Sequence, residues 1–535
     1  MMGAMSLIRL NSHTSHPLHS AANSRLIEPL AAAPLPPHTL MQRAGLAVAR
    51  LACAVAPHAQ TIWIACGPGN NGGDGLEAAM HLKNGDRNPI VTWLGDEYHC
   101  PPDALASLHR ARAAGVTFAV EPPAHCDLAI DALLGIGVTK PLSGAMADWL
   151  VHMHRSAAAV LCVDLPSGLN ADTGCYAAFP NETENATNNI AVKAINTPAE
   201  RQNRCQNEHL FCLSLLTLKP GLFTAHGKDA AGQVWFDDLG ASEVLDTMAD
   251  TVAPTAWLLG ADRASQPPRP HASHKGSFGD VAVIGGAPGM TGAALLAARA
   301  ALHAGAGRVF VALLEGGSLG ANLLVDPLQP ELMFRHPDAV NLHSSPTSTT
   351  VCGCGGGDAV RHVLPRILSL SPRLVLDADA LNAIATDTAL QTQLINRAAR
   401  ADFATILTPH PLEAARLLAC SAAHVQSDRL QAAQQLADRF ACTVVLKGAG
   451  SIIAAPHQTP CINTSGNAKL ATAGTGDVLA GVLGALLAGA VLAGEKAESN
   501  AAFSAACIAV YRHGAAADSW PADQRLTASA LAQRI

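Results

Sequence analysis

The stretch 466–481, GNAKLATAGTGDVLAG, holds the residues with the clearest chemical use. Gly474 and Gly476 bracket Thr475 in a turn that side chains cannot crowd, and Asp477 follows where a helix should begin. Free N–H groups at a helix start bind anions, and glycine lets a phosphate come close. An acidic side chain repels phosphate, so Asp477 is better suited to taking a proton. An anion hole with a base beside it is equipment for phosphoryl transfer. A helix cap ahead of a buried helix accounts equally well for Gly-Thr-Gly-Asp taken alone.

A second set of polar residues lies in the first half. Gly67, Gly69 and Gly72 satisfy G-x-G-x-x-G after an apolar run at 61–66, with a helix expected from about Leu76. That pattern allows dinucleotide binding, with Asp96 or Glu97 on a ribose. Yet Asn70, Asn71 and Asp74 sit in the same loop, and they supply oxygens for a hard cation or a polar ligand. Asp131 and Asp164 each end a further β-type run, followed by Gly135-Ile136-Gly137 and by Pro166-Ser167-Gly168. Ligands of an open α/β sheet collect at the carboxyl ends of its strands, so the three loops can form one site. Singly, an Asp at a strand end also serves to cap the next helix.

The elements that must carry these residues follow a repeating plan. After a Pro-rich stretch near 264–270, strands are expected at 278–285, 373–376, 405–407 and 443–446. Each leads into a polar or glycine-rich turn, including Gly353-Cys354-Gly355-Gly356-Gly357, Thr408-Pro409-His410-Pro411 and Lys447-Gly448-Ala449-Gly450-Ser451. No G-x-x-x-x-G-K-[ST] occurs there, which argues against a Walker-type nucleotide site. Cys352 and Cys354 lack a companion His/Cys pair at zinc spacing. The apolar run 478–494 reads as a buried core helix rather than a membrane span.

Size and composition agree with this plan. A chain of 535 residues calls for two or three domains. Alanine, glycine and aliphatics dominate, which suits parallel sheets covered by small-faced helices. The net charge of −7, without an extended basic run, disfavours nucleic acid as a partner. Fourteen scattered cysteines make no disulfide framework, and the start lacks a secretory h-region, so a cytoplasmic location is expected.

Taken in order, these motifs resemble known families over nearly the whole chain. NNGGDG with the Asp131 and Asp164 segments resembles the NAD(P)H-hydrate epimerase family. AGTGDVLAG with Asn467 and Leu470 resembles the ADP/ATP-dependent NAD(P)H-hydrate dehydratase family, whose fold is ribokinase-like. The resemblance implies a Rossmann-like three-layer α/β sandwich over 1–240, a linker over 241–270 and a ribokinase-like α/β domain over 271–535. It implies a bifunctional repair enzyme that epimerises R and S forms of hydrated NADH and NADPH and dehydrates the S form with ADP.

Roles carry over position by position. Asn71, Asp131 and Ser167 match potassium ligands. Asn70, Asn71, Gly72, Gly73 and Asp74 match substrate contacts, as do Gly135, Ile136, Gly137, Val138, Thr139, Lys140 and Pro141. Asp164 matches the acid/base. In the second half Ala293, Gly355, Gly357, His410 and the base Asp477 match contacts to hydrated NAD(P)H. Lys447, Gly448, Ala449, Gly450, Ser451 and Gly476 match contacts to the phosphate donor, with Mg²⁺ assisting. A homo-oligomer without a membrane partner is expected. The sequence departs from the pattern in a polar insertion, about 175–210, and in Cys354, where the family usually has Pro. A small-molecule kinase fused to a Rossmann dinucleotide-binding domain, and a non-catalytic nucleotide-binding regulator, stay open as alternatives.

Overall fold

A computed structural model of the chain describes residues 7–138, 140–176, 209–242, 244, 252–266, 271–314, 325–342, 348–489 and 498–535. The insertion and most of the Pro-rich stretch thus lie outside the described residues. Two compact units result. One comprises Met1–Asn11 and Pro17–Ala256, the other Ser12–His16 and Trp257–Ile535.

The first unit is built on an eight-stranded sheet. Its strand order is Ile8–Arg9, Gln233–Asp237, Leu210–Leu215, Ala159–Val163, Leu128–Ala132, Thr61–Cys66, Asn88–Trp93, Thr117–Ala119. All neighbours run parallel except the two-residue edge strand. Side chains alternate across a strand, and both faces here are apolar. Ile62, Ile64 and Cys66 join the core that includes helices Thr39–Val55 and Asn70–Asn84. Trp63 points the other way and meets His152 of helix Ala145–Arg155 edge-on. Helices therefore cover both faces, as expected for a three-layer α/β sandwich.

The second unit holds an eleven-stranded sheet. From Met333–Phe334 the order is Arg308–Leu313, Asp280–Gly285, Ser348–Cys352, Arg373–Leu376, Ala404–Leu407 and Thr443–Leu446, all parallel. Ile452–Ala454 then runs antiparallel to both its neighbours, Thr443–Leu446 and Cys461–Asn463. Ala256–Leu259 follows in parallel, and the N-terminal strand that begins at His16 forms the edge.

N-terminal residues are bonded firmly into this second unit. Ser15 donates its N–H to Asp262 (3.0 Å to either oxygen) and its hydroxyl to Asp262 Oδ1 (2.5 Å). Ser15 Oγ accepts from Gly260 N–H, and the Ser12 carbonyl accepts from Ala261 N–H and Tyr511 Oη–H.

Helix Thr475–Gly489 runs through the centre, with Val478 to Ala488 buried. A helix apolar on every side must be surrounded by protein. Small residues allow this. A Cβ on Gly481 would run into the Ala297 carbonyl of helix Thr291–His303, and one on Gly484 would lie 2.5 Å from Val351 Cγ2. The expected run to 494 is helical to Gly489; 490–497 lie outside the described residues.

Candidate active sites

In the second unit, strand ends bring a ring of charged groups to the start of the central helix. Gly474, at φ +89°, turns the chain, and Thr475 opens the helix. His513, buried, donates Nε2–H to the Thr475 carbonyl (2.9 Å). Burial holds the His513 imidazole down at about 4, so it stays neutral. Asp477 stands in the helix's first turn.

Asp477, Asp377 and Cys354 cluster, their ligand-type atoms all within 4.8 Å of one another. Asp377 is 2 % exposed and accepts from Lys447 Nζ–H (2.7 Å) and Thr408 Oγ1–H (2.7 Å). Lys447 also faces Glu413 at 4.0 Å. A Cβ on Gly476 would lie 3.4 Å from Lys447 Nζ, so this ammonium sits beside the glycine turn.

The electrostatics follow from burial. It raises Asp477 to about 6, Asp377 adds to this, and Cys354 and Lys447 oppose it. Burial likewise raises Glu413 to about 7, against the pull of Lys447. For Lys447 burial works downward, but Asp377 and Glu413 prevail and hold the ammonium above its ordinary value. An acid that titrates near neutrality beside a fixed cation is what general-base work requires.

The remaining expected residues surround this cluster. His410 caps helix Pro411–Leu418: its Nδ1 accepts from the Leu412 and Glu413 N–H groups, while Glu413 Oε2 accepts from His410 N–H (2.8 Å). His410 Nε2 faces Glu413 Oε1 at 3.2 Å, and burial and Lys447 lower its imidazole. A Cβ on Gly355 would come within 2.9 Å of Ala293 Cβ, which puts these two together. Gly357 donates its N–H to Asp379 Oδ2 (2.8 Å). Gly448 and Gly450 take positive φ, and the Ser451 hydroxyl donates to the Gly448 carbonyl (3.2 Å). Ala449 lies exposed between the two glycines.

In the first unit a cavity of about 680 Å³ opens at the strand ends, lined by Asn70, Asn71, Asp74, Gly135, Ile136, Gly137 and Asp164. One expectation is corrected here. The residues Asn70–Gly75 are not a loop before a helix; they are its first turns, since the helix spans Asn70–Asn84. Its glycines serve close approach: a Cβ on Gly72 would strike the Gly67 carbonyl, and one on Gly75 would lie 2.6 Å from Ala132 Cβ. Gly73 faces Met41 in the same way.

Asp164 follows its strand at φ +65°, a strained setting for a residue with a side chain. Its N–H donates to the Leu213 carbonyl (2.8 Å), and its Oδ1 accepts from Lys219 Nζ–H and Leu215 N–H (3.3 Å). Lys219 is 2 % exposed and also donates to the Leu215 carbonyl (2.9 Å). Asp164 Oδ2 and Asn71 Oδ1 lie 3.2 and 3.1 Å from the point a Cβ on Gly135 would occupy.

Asp131 is fully buried. It accepts from Ser167 N–H (2.9 Å), Ser167 Oγ–H (2.6 Å) and Leu133 N–H (3.3 Å). Burial raises its carboxyl and the Ser167 bonds oppose this. None of these donors carries a charge, and the buried Asn71 Nδ2 has no partner. Val138, Lys140 and Pro141 line a neighbouring hollow of about 390 Å³, together with Gly137; Thr139 lies outside the described residues. Asp96 pairs with His99 on the surface and Glu97 with Arg112, so neither lines the cavity.

The chain is 35 % identical over 492 residues to the bifunctional NAD(P)H-hydrate repair enzyme of Escherichia coli (strain K12), covering 90 % of this chain and 85 % of that protein. The chain belongs to this family. The corresponding enzyme of Moorella thermoacetica is 34 % identical, with 90 % and 88 % covered. The family described as YjeF-related protein N-terminus matches residues 37–196, and that described as NAD(P)H-hydrate dehydratase matches 281–535. The ADP-dependent (S)-NAD(P)H-hydrate dehydratase of Neisseria meningitidis is 41 % identical over 271 residues, 49 % of this chain and 84 % of that protein. Among solved structures, the ADP/ATP-dependent NAD(P)H-hydrate dehydratase of Bacillus subtilis, co-crystallized with ATP/Mg²⁺, is 28 % identical. It covers 51 % of this chain and 92 % of that one at a TM-score of 0.40.

The two matched segments each hold one of the candidate sites described above. Sequence reasoning missed Lys219 as the partner of Asp164, and Asp377 and Glu413 as the carboxylates that face Lys447. Lys219 lies 55 positions from Asp164 in sequence and Asp377 lies 70 from Lys447, so only the folded sheet brings them together. The signal available was their place at a strand end, shared with residues that were found.

Proposed function

We propose that the chain repairs hydrated NADH and NADPH, with epimerisation in the first unit and ADP-dependent dehydration of the S form in the second. The observation that carries the reading is Asp477: a carboxyl raised to about 6, in the first turn of a helix, beside Lys447 and the Gly474–Gly476 turn. It stands within a segment matching NAD(P)H-hydrate dehydratase. ADP as donor is supported by the name of the 41 % identical Neisseria relative.

In the second unit Asp477 takes the proton of the ring hydroxyl, and that oxygen attacks the terminal phosphoryl group of the donor. Backbone N–H groups at the helix start, and Lys447 beside them, stabilise the charge on the transferring group. AMP leaves with the donor's bridging oxygen. Phosphate then departs from the ring carbon with its bonding pair while the ring nitrogen lone pair forms a C=N bond, and loss of a proton from the neighbouring ring carbon to water restores the dihydronicotinamide. The cluster of Cys354, Asp377 and Asp477 does not make a cage for Mg²⁺, since a thiol is a poor ligand for it and Asp377 is held by Lys447. A magnesium ion would be brought by the nucleotide phosphates and would neutralise part of their charge.

In the first unit the donors suit potassium. Asp131 is a buried carboxylate bonded only by uncharged donors, and Ser167 and Asn71 add hard oxygens. A bound K⁺ would supply positive charge to the site. Asp164 moves the proton of the departing or returning hydroxyl. Asn70 to Asp74 and Gly135 to Pro141 are the substrate contacts in this reading. We take the cytoplasm as the place of action and a homo-oligomer as the assembly. No disulfide joins the described cysteines, and no described helix is long and apolar enough to cross a membrane.

The test is recovery of the dihydronicotinamide absorbance from mixed epimers with ADP or ATP. Asp477→Ala should abolish recovery. Asp164→Ala should leave the S form consumed and slow use of the R form to its spontaneous rate. A stable phosphorylated product from a simple alcohol, without recovery, would overturn the reading.

A further inference from the structure

The proposed epimerisation breaks and remakes one C–O bond, and hydroxide is a poor leaving group. A proton must reach the departing oxygen, and another must leave the water that returns on the opposite face. Asp164 is equipped for the second task. Its Oδ1 accepts from Lys219 Nζ–H, while Oδ2 lies toward Gly135 and Asn71. Lys219 is ill placed to be the donor, being 2 % exposed with its protons directed to Asp164 and the Leu215 carbonyl.

Asp74 lines the same cavity, from the first turns of helix Asn70–Asn84. Among the described residues none donates a hydrogen bond to its carboxyl and no cation pairs with it. Glu28, Asp164 and Lys219 line this cavity with it, Glu77 stands one turn on in the same helix, and Cys66 Sγ lies beside the adjoining Gly75. Glu77 is engaged by Arg110 (2.7 Å) and faces His81 (3.9 Å); Lys219 is engaged by Asp164. Burial first, then Asp164, Glu28 and Glu77, push the Asp74 carboxyl well above the ordinary carboxylate range, with Lys219 alone opposing.

We propose that Asp74 is a second catalytic residue of the epimerase site, giving its proton to the departing hydroxyl while Asp164 takes one from the returning water. This rests on the functional reading above. The C–O bond breaks with its electron pair going to oxygen, and the Asp74 proton makes that oxygen water. The ring nitrogen lone pair forms a double bond to the bared carbon. Water then bonds to the other face, loses a proton to the Asp164 carboxylate, and the nitrogen regains its pair. Asp74 ends ionised and Asp164 protonated. Exchange with solvent resets them, or the opposite epimer runs the roles in reverse.

The experiment uses the full chain with potassium and the R epimer of hydrated NADH, the spontaneous rate being subtracted. Asp74→Asn should lower kcat for epimerisation on the order of 100-fold or more, with KM changed little and dehydration of the S form unchanged. Wild-type epimerisation should fall as pH rises through the Asp74 value, and this alkaline limb should vanish from the residual activity of Asp74→Asn. Asp74→Glu should retain part of the rate and keep the limb. A wild-type rate and profile in Asp74→Asn would overturn the proposal, as would the same loss appearing in Glu28→Gln instead. If Asp74→Asn melts early, the limb in wild type and Asp74→Glu decides, and its absence overturns the proposal. Wild type that never exceeds the spontaneous rate would sink the functional reading itself, and this proposal with it.

Discussion

Asp477 must be ionised to take a proton, and burial with Asp377 holds it at about 6. Dehydration should therefore fall as pH drops through about 6, rather than near the ordinary carboxylate value of about 4. A pH profile of kcat with saturating ADP reads this directly. The Cys354 thiol in the same cluster favours the ionised form, so Cys354→Ala should move that inflection upward. Lys219→Met should be severe in a different way. It leaves Asp164, 13 % exposed, without its counter-charge, and breaking a largely buried pair costs about 3–5 kcal/mol. Urea unfolding of the variant measures that loss. At this scale the sequence was informative about the carboxylates, because Asp477 and Asp164 sit in local motifs. Their partners were not legible: Lys219 and Asp377 gain meaning only when strands distant in sequence become neighbours.

Among the elements, the strands that lead into the site loops, Thr61–Cys66, Leu128–Ala132, Ala159–Val163, Asp280–Gly285, Arg373–Leu376, Ala404–Leu407 and Thr443–Leu446, followed from short β-type runs ending in polar turns. The start of helix Asn70–Asn84 did not. Asn-Asn-Gly-Gly-Asp-Gly has poor intrinsic helix propensity, so a local reading makes it a loop. Tertiary packing overrides this, because only glycine lets the first turns lie against Gly67, Cys66 and Ala132. Gly72→Ala should thus cost the first unit far more than a helix-propensity scale implies. Gly481→Ala should do the same where helices Thr475–Gly489 and Thr291–His303 touch. Overpacking of this kind costs about 1–3 kcal/mol or more. Thermal unfolding should show lower midpoints, where alanine in an exposed helix would raise them.

Over the whole molecule, the two carboxylates belong to separate compact units. Their variants should therefore fail separately. With mixed epimers, Asp164→Ala should give a fast phase equal to the S fraction and then a slow one, and Asp477→Ala should give neither. Length called for two or three domains, and the repeated strand–turn plan marked both halves as α/β. The path of the first residues was not, since 7–20 carry no periodicity that marks them for either unit.

That path has a practical result. Ser12 to His16 lie in the unit otherwise formed by 257–535, with Ser15 bonded to Asp262 and Gly260. No single cut of the gene releases both halves whole. A fragment starting at Trp257 leaves the Asp262 carboxylate, the Gly260 amide and the Tyr511 hydroxyl short of their partners. Such a fragment should melt below the intact chain, and a synthetic peptide spanning 7–20 should bind it and restore part of the difference.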